Sequence, residues 1–206
     1  MNDTQVLILG IGNILWADEG FGVRCVEAIN ERYRFENNVK LMDGGTQGIY
    51  LVQHVQSADL LIVFDAIDYG LAPGTLKIVH DDDVPKFMGA KKMSLHQTGF
   101  QEVLAMAEFI GQYPKHLLLI GCQPVELEDF GGSLRNEVKD QITPSLNIAL
   151  EFLKQHGIEP IDNDTAADEL APLELGLSEY ETGRPSEETA FRKGDPRFLN
   201  SLSGKD

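Results

Sequence analysis

Three short apolar runs, QVLILG (5–10), ADLLIVFDA (58–66) and KHLLLIGC (115–122), constrain the fold of this chain more than any other feature. Apolar residues in an unbroken run, rather than in alternation, mark strands covered on both faces, as in a parallel sheet. The segments between them read as helices. Residues 20–33 place Val23, Val26, Ala28 and Ile29 at helical spacing with charges between. Residues 46–56 suit a helix begun by Thr46 as a cap, and helix signals return over 100–111. Residues 134–157 read as a long amphipathic helix ending at Gly157, which Pro144 should kink or divide. VKLMD (39–43) is a second short strand closed by Gly44 and Gly45, and GTLKIVH (74–80) alternates as an edge strand would. Residues 81–96 read as a long loop, with Asp81, Asp82 and Asp83 as a solvated turn. The alternation predicts an α/β fold, a three-layer α/β/α sandwich around a mostly parallel, twisted sheet of about five strands.

The domain expected from this pattern covers residues 1–157. Residues 158–206 have little periodicity and many Pro, Gly, Glu and Ser residues, and are expected to form an acidic, poorly ordered tail. The chain carries a net charge of −16, of which −7 falls within residues 157–206. A surface this acidic repels phosphate backbones, which argues against nucleic acid as a partner. No apolar run reaches the ~18 residues of a membrane helix, so membrane insertion is not expected. The opening MNDTQVLILG lacks a basic region and a cleavage site, so no signal peptide is predicted. Two cysteines, Cys25 and Cys122, without short spacing suit a reducing cytoplasm and supply no thiolate metal motif.

Ligands of open α/β sheets gather outside the carboxyl ends of the strands. The polar residues expected there are Asn13, Asp18 and Glu19 after the first strand and Asp43 at the end of the second. Asp65 and Asp68 come at the end of the third, and His96 and Gln97 precede the helix at 100. A phosphate site fails on the pattern. Gly10-Ile11-Gly12 begins a dinucleotide fingerprint, but its sixth position is Leu15, and no Gly-Lys-Ser/Thr follows. Asp18 and Glu19 would repel the pyrophosphate that a helix N-terminus attracts. A cation fits better, because two carboxylates and an imidazole, Glu19, Asp65 and His96, form a mixed set suited to a divalent transition metal. Each also has a plainer reading. Glu19 is a helix first-turn acid favourable to the macrodipole, Asp65 a turn cap, His96 a polar loop residue. His54, His80, His116 and His156 read as structural or solvated, and Cys122 has no motif supplying a base. Trp16 is either an exposed docking aromatic or a cover for the edge of the core.

With these pieces side by side, the chain resembles the nickel–iron hydrogenase maturation endopeptidases. The resemblance rests on LGIGNILWADEGFGVR (9–24), LMDGGTQG (41–48), LLIVFDAIDYGLAPGT (60–75), SLHQTGFQEVL (94–104) and LLLIGCQP (117–124). They stand in the family's order and cover about residues 4–156. It implies metal ligands at Glu19, Asp65 and His96, the same trio that the residues suggest by themselves. It implies that Asp43 matters for activity, with Glu19 and Asp65 contributing, and that Gly44, Gly45 and Thr46 lie against a bound chain. The segment GRPSEETAFRKGDPRFL (183–199) is similar to the longer tail of the branch serving membrane-associated uptake hydrogenases.

The function so implied is a cytoplasmic, aspartyl-type endopeptidase that removes the C-terminal peptide of a hydrogenase large-subunit precursor. Nickel would be delivered on that substrate and serve as its recognition handle, with other divalent cations able to occupy the site in vitro. A hydrogenase assembly chaperone is a further expected partner. Two other functions compete. A non-catalytic nickel-sensing chaperone of the same precursor would use the same trio. A small-molecule hydrolase or phosphorylase on a similar scaffold would need a basic anion site, and only Arg24 is near in sequence.

Overall fold

The computed structural model describes residues 4–88, 95–164, 170, 172 and 175–183, and the side chains of residues 87, 88 and 95–99 lie outside that description. The chain divides into two units, Met1–Pro172 and Leu173–Asp206. In the first, strands β1 (Val6–Ile11), β3 (Val39–Gly45), β4 (Leu60–Ala66), β5 (Leu76–His80) and β6 (His116–Cys122) form one sheet in the order β3-β1-β4-β6-β5. All neighbours in it are parallel except β5, which runs antiparallel along β6 at the edge. The expected three-layer α/β sandwich is therefore the observed fold.

The apolar runs become strands because they can be covered twice. β1 and β4 are buried along their whole length and β6 from Leu117 onward. Side chains alternate between faces. Leu7, Leu9, Leu61, Val63, Leu117 and Leu119 form one core with Leu51, Val52, Val55, Val84, Phe100, Val103, Leu104 and Ala107. Those partners come from α2 (Val52–Gln56), α3 (Asp83–Met88) and α4 (Leu95–Ile110), with the short 3-10 helix Gly48–Leu51 ahead of α2. Ile8, Ile62, Phe64, Leu118 and Ile120 point to the other face, that of α1 (Phe21–Arg32) and α6 (Ile142–Gln155).

Three expectations change. The loop expected over 81–96 contains α3, and α4 begins at Leu95 rather than near 100. Thr46 does not cap a helix. Gln47 precedes the 3-10 helix, and no side chain caps it. The long helix expected over 134–157 is two, α5 (Asn136–Lys139) and α6, and the break falls before Ile142 rather than at Pro144. Pro144 is the third residue of α6, where the backbone N–H has no intrahelical partner to lose.

Beyond Gly157 the chain continues onto the sheet unit. Ile158 is buried, and β7 (Ile161–Asp162) pairs antiparallel with β2 (Tyr33–Arg34). Asn163 Nδ2 donates to the carbonyl of Asn30, and its Oδ1 accepts from Arg34 Nε. In the second unit, α7 (Leu177–Gly183) is described and buries none of its residues.

Candidate active site

The sheet register sets the candidate residues in a row. Gly10 of β1 stands level with Asp43 of β3 and with Phe64 of β4. Asp65 follows one residue on, level with Gly121 of β6. Strands β1, β3, β4 and β6 run the same way, so these residues share the carboxyl edge. A helix that feeds a parallel strand runs back along the sheet, which puts the start of α4 at this edge too. His96 is the second residue of α4, but its side chain lies outside the described residues. The structure thus places Glu19, Asp43 and Asp65 and leaves the imidazole open.

The stretch from Gly12 to Gly22 explains its own glycines. Gly12 adopts φ 127°, and a Cβ there would overlap the carbonyl of Glu19. The Asn13 side chain closes a tight turn by accepting from the N–H of Leu15 at 3.0 Å. Ala17 sits in the left-handed region, and Ala17–Gly20 forms a single 3-10 turn that delivers Asp18 and Glu19. Gly22, in the first turn of α1, lies against the carbonyls of Ile11 and Phe64. Without a side chain there, the turn bearing Glu19 packs directly on β1 and β4.

The adjacent acids Asp18 and Glu19 have different surroundings. Asp18 is 0% exposed. Its Oδ2 accepts from the N–H of Val125 and Glu126 at 2.8 and 2.9 Å, and its Oδ1 from that of Arg135 at 2.7 Å. It is a clamp that fastens the loop after β6. Glu19 is half-buried, with Oε2 shielded from solvent, and Asp65, 2% exposed, has its Oδ2 shielded likewise. The Asp65 charge lies close enough to the buried Tyr69 to help burial raise that phenol's pKa. Two oxygens withdrawn from water at one sheet edge suit a divalent cation, and the described residues hold no complete cluster of three.

Asp43 is half-buried, and its Oδ1 accepts from the N–H of Gly45 at 2.8 Å. Burial pushes its carboxyl above the ordinary carboxylate range, against the opposing pull of the Gly45 N–H and of Arg24. Arg24 is 3% exposed and forks its Nη1 onto both carboxylate oxygens of Glu27 at 3.0 and 2.8 Å. Burial raises Glu27 as well, with Arg24 opposing and Asp43 adding to the rise. Gly44 fills a bulge opposite β1, where its missing side chain makes room for Leu9 and the carbonyl of Gly10. Gly45, at φ 45°, and the exposed Thr46 remain open toward the edge.

Sequence reasoning missed Gln123. Its Oε1 accepts from the N–H of Tyr69 and Leu71 at 2.7 and 3.1 Å, and its Nε2 donates to Asp68 at 2.9 Å. Asp68 is thereby a loop anchor. The one available signal was an amide directly after the strand ending in Cys122. The rings of His116 and His156 meet at a tilt with centroids 4.5 Å apart beside Phe152, and His80 lies near the same phenyl ring at 6.0 Å. His54 contacts Lys40. Cys25 and Cys122 are both buried free thiols. Burial raises each, and the neighbouring Asp18 charge helps push Cys122 up to about 12.

A doubly wound α/β protein whose carboxyl edge carries acids instead of a phosphate-binding loop defines a narrow class. The chain belongs to the hydrogenase maturation protease family, whose model matches residues 23–152. It is 69% identical to the hydrogenase expression/formation protein HoxM of Azotobacter vinelandii, over 97% of this chain and 96% of that one. It is 41% identical to the hydrogenase 2 maturation protease of Escherichia coli, over 80% of this chain and 99% of that one. Among solved structures, the hydrogenase maturating endopeptidase HybD from E. coli superposes with a TM-score of 0.74 at 40% identity. That match covers 79% of this chain and all of HybD.

Proposed function

We propose that this protein is the endopeptidase that removes the C-terminal peptide from the nickel-loaded precursor of a nickel–iron hydrogenase large subunit. The observation that carries the reading is the shielded carboxylate pair, Glu19 and Asp65, set at the same sheet edge as a half-buried Asp43. In this reading the nickel belongs to the substrate. Glu19, Asp65 and His96 hold it without owning it, since a permanently filled site would block the handle. When so held, the metal supplies Lewis-acid polarisation of the scissile carbonyl.

The chain's own contribution is positioning and proton transfer. Asp43 Oδ1 is fixed by the Gly45 N–H, which leaves Oδ2 to take a proton from the attacking water. The new C–O bond forms at the scissile carbon, the C–N bond breaks, and the proton passes to the departing amine. A carboxylate raised by burial is a stronger base than an ordinary one, which suits this role. The exposed Thr46, beside a Gly45 that has no side chain to obstruct it, lies at the same edge for the bound chain.

The test is intact mass of the precursor after mixing with the protein, once nickel-loaded and once nickel-free. Loss of a C-terminal peptide from the loaded form alone is the expected result. Cutting of both forms would keep the peptidase and remove the nickel handle. Binding without cutting, beside an active control protease, would make the protein a nickel-sensing chaperone.

A further inference from the structure

Next to the Glu19 turn the structure holds large apolar side chains out in solvent. Phe130 is 66% exposed, Val125 44% and Leu15 38%. They are not loose. The Trp16 ring meets Phe130 edge-on at 5.3 Å, and the Leu15 carbonyl accepts from the N–H of Gly131 at 2.7 Å. Bridges from Trp16 to Phe130 and Gly132 join the loop after β1 to the loop after β6. The Asp18 clamp locks the same two loops from beneath, and the Asp18 N–H donates to the Glu126 carbonyl at 3.1 Å. The platform is continuous with the candidate site, because the Glu19 N–H donates to the Trp16 carbonyl at 2.9 Å. Trp16, left open by the sequence, is thus part cover and part platform.

Rigid aromatic surface beside a site, rimmed by polar groups, is the composition of an interaction patch. The rim has a sign. Glu126 and the exposed Glu128 stand on the loop, while Arg135 is already engaged by Asp129 at 2.8 Å. The patch therefore complements an apolar side chain with a basic neighbour.

We propose that Leu15, Trp16 and Phe130, with Glu126 and Glu128 on their rim, form the docking surface for a segment of the large-subunit precursor that presents an apolar side chain beside a basic one. This rests on the peptidase reading. The platform gives the precursor a second point of attachment and fixes the direction in which its chain crosses the carboxylate edge. Recognition then depends on the polypeptide as well as on any metal it carries.

The experiment measures kcat and KM for cleavage of the nickel-loaded precursor by the full chain, by Phe130→Ser and by Glu128→Lys. Both substitutions fall on exposed side chains, and unchanged thermal melts verify the fold. A rise in KM of about tenfold for each, with kcat held, is expected. The Glu128→Lys defect should shrink as salt rises, while the Phe130→Ser defect should not. Wild-type KM in both variants would overturn the docking surface and leave the peptidase standing. A fall in kcat at constant KM would also overturn it, by placing Phe130 in the chemistry. A precursor left uncut by the wild-type protein would sink the peptidase reading, and the docking surface with it.

Discussion

Replacing Asp18 by alanine removes the buried carboxylate that three backbone donors share, those of Val125, Glu126 and Arg135. At about 1 kcal/mol for each lost hydrogen bond, the expected loss is about 3 kcal/mol in urea unfolding. Glu19→Gln, one residue on, should leave that unfolding curve in place and abolish cleavage. The pair separates a structural acid from a functional one. Asp43 makes a second residue-scale prediction. In the proposed mechanism its base form takes the proton, so cleavage should fall as pH drops through a value above the ordinary carboxylate range. Arg24 opposes that rise, so Arg24→Gln should move the acid limb of the pH–rate profile to higher pH. The folding sign is opposite. A carboxyl raised on folding contributes stability below its unfolded pKa and loses it as pH climbs through the folded value. Asp43→Asn should therefore keep its stability at pH 7 while cleavage falls about 10²- to 10⁴-fold. Glu19, Asp65 and Asp43 were legible because each stands at the carboxyl end of a strand or in the turn just ahead of a helix. The split between Asp18 and Glu19 was not, since nothing in the local sequence ties residue 18 to a loop more than a hundred residues away.

At the scale of elements, Gly22 is the sharpest test of how the turn is held. Alanine there would drive a methyl into the Ile11 and Phe64 carbonyls, which are fixed in the paired interior strands β1 and β4. The expected cost is about 3 kcal/mol, read by chemical denaturation, with cleavage falling further as the Glu19 turn moves away. The strands were legible because unbroken apolar runs have few alternatives. The helices at residues 83–110 were legible only in part, and proline and glycine are the reason. Pro85 is the third residue of α3, as Pro144 is of α6. In both, a residue that reads as a breaker sits in the one turn that tolerates it. Gly99 inside α4 likewise hid the first turn of that helix, the turn that carries His96.

For the whole molecule, the sheet unit extends past Gly157. A chain ending at Pro172 should keep its thermal melt and lose only the small helical circular dichroism contribution of α7. One ending at Gly157 loses β7, the buried Ile158 and the Asn163 hydrogen bonds, and should melt several degrees lower. Equal melts would show that the β2–β7 pairing contributes nothing to stability. This junction was illegible because a two-residue strand has no periodicity to detect.

The two cysteines acquire a meaning from the substrate proposed for this protein. A nickel ion carried on another protein's thiolates exchanges readily with any further thiolate that comes within reach. Cys25 and Cys122 are sealed in the core and kept as thiols, the second by a pKa near 12. In the proposed reaction the molecule would meet its cargo with carboxylate oxygens and an imidazole, and would withhold the soft sulfur that competes for it. Such a site would inspect the metal and hand it back, where a surface cysteine at the same edge would make it a thief.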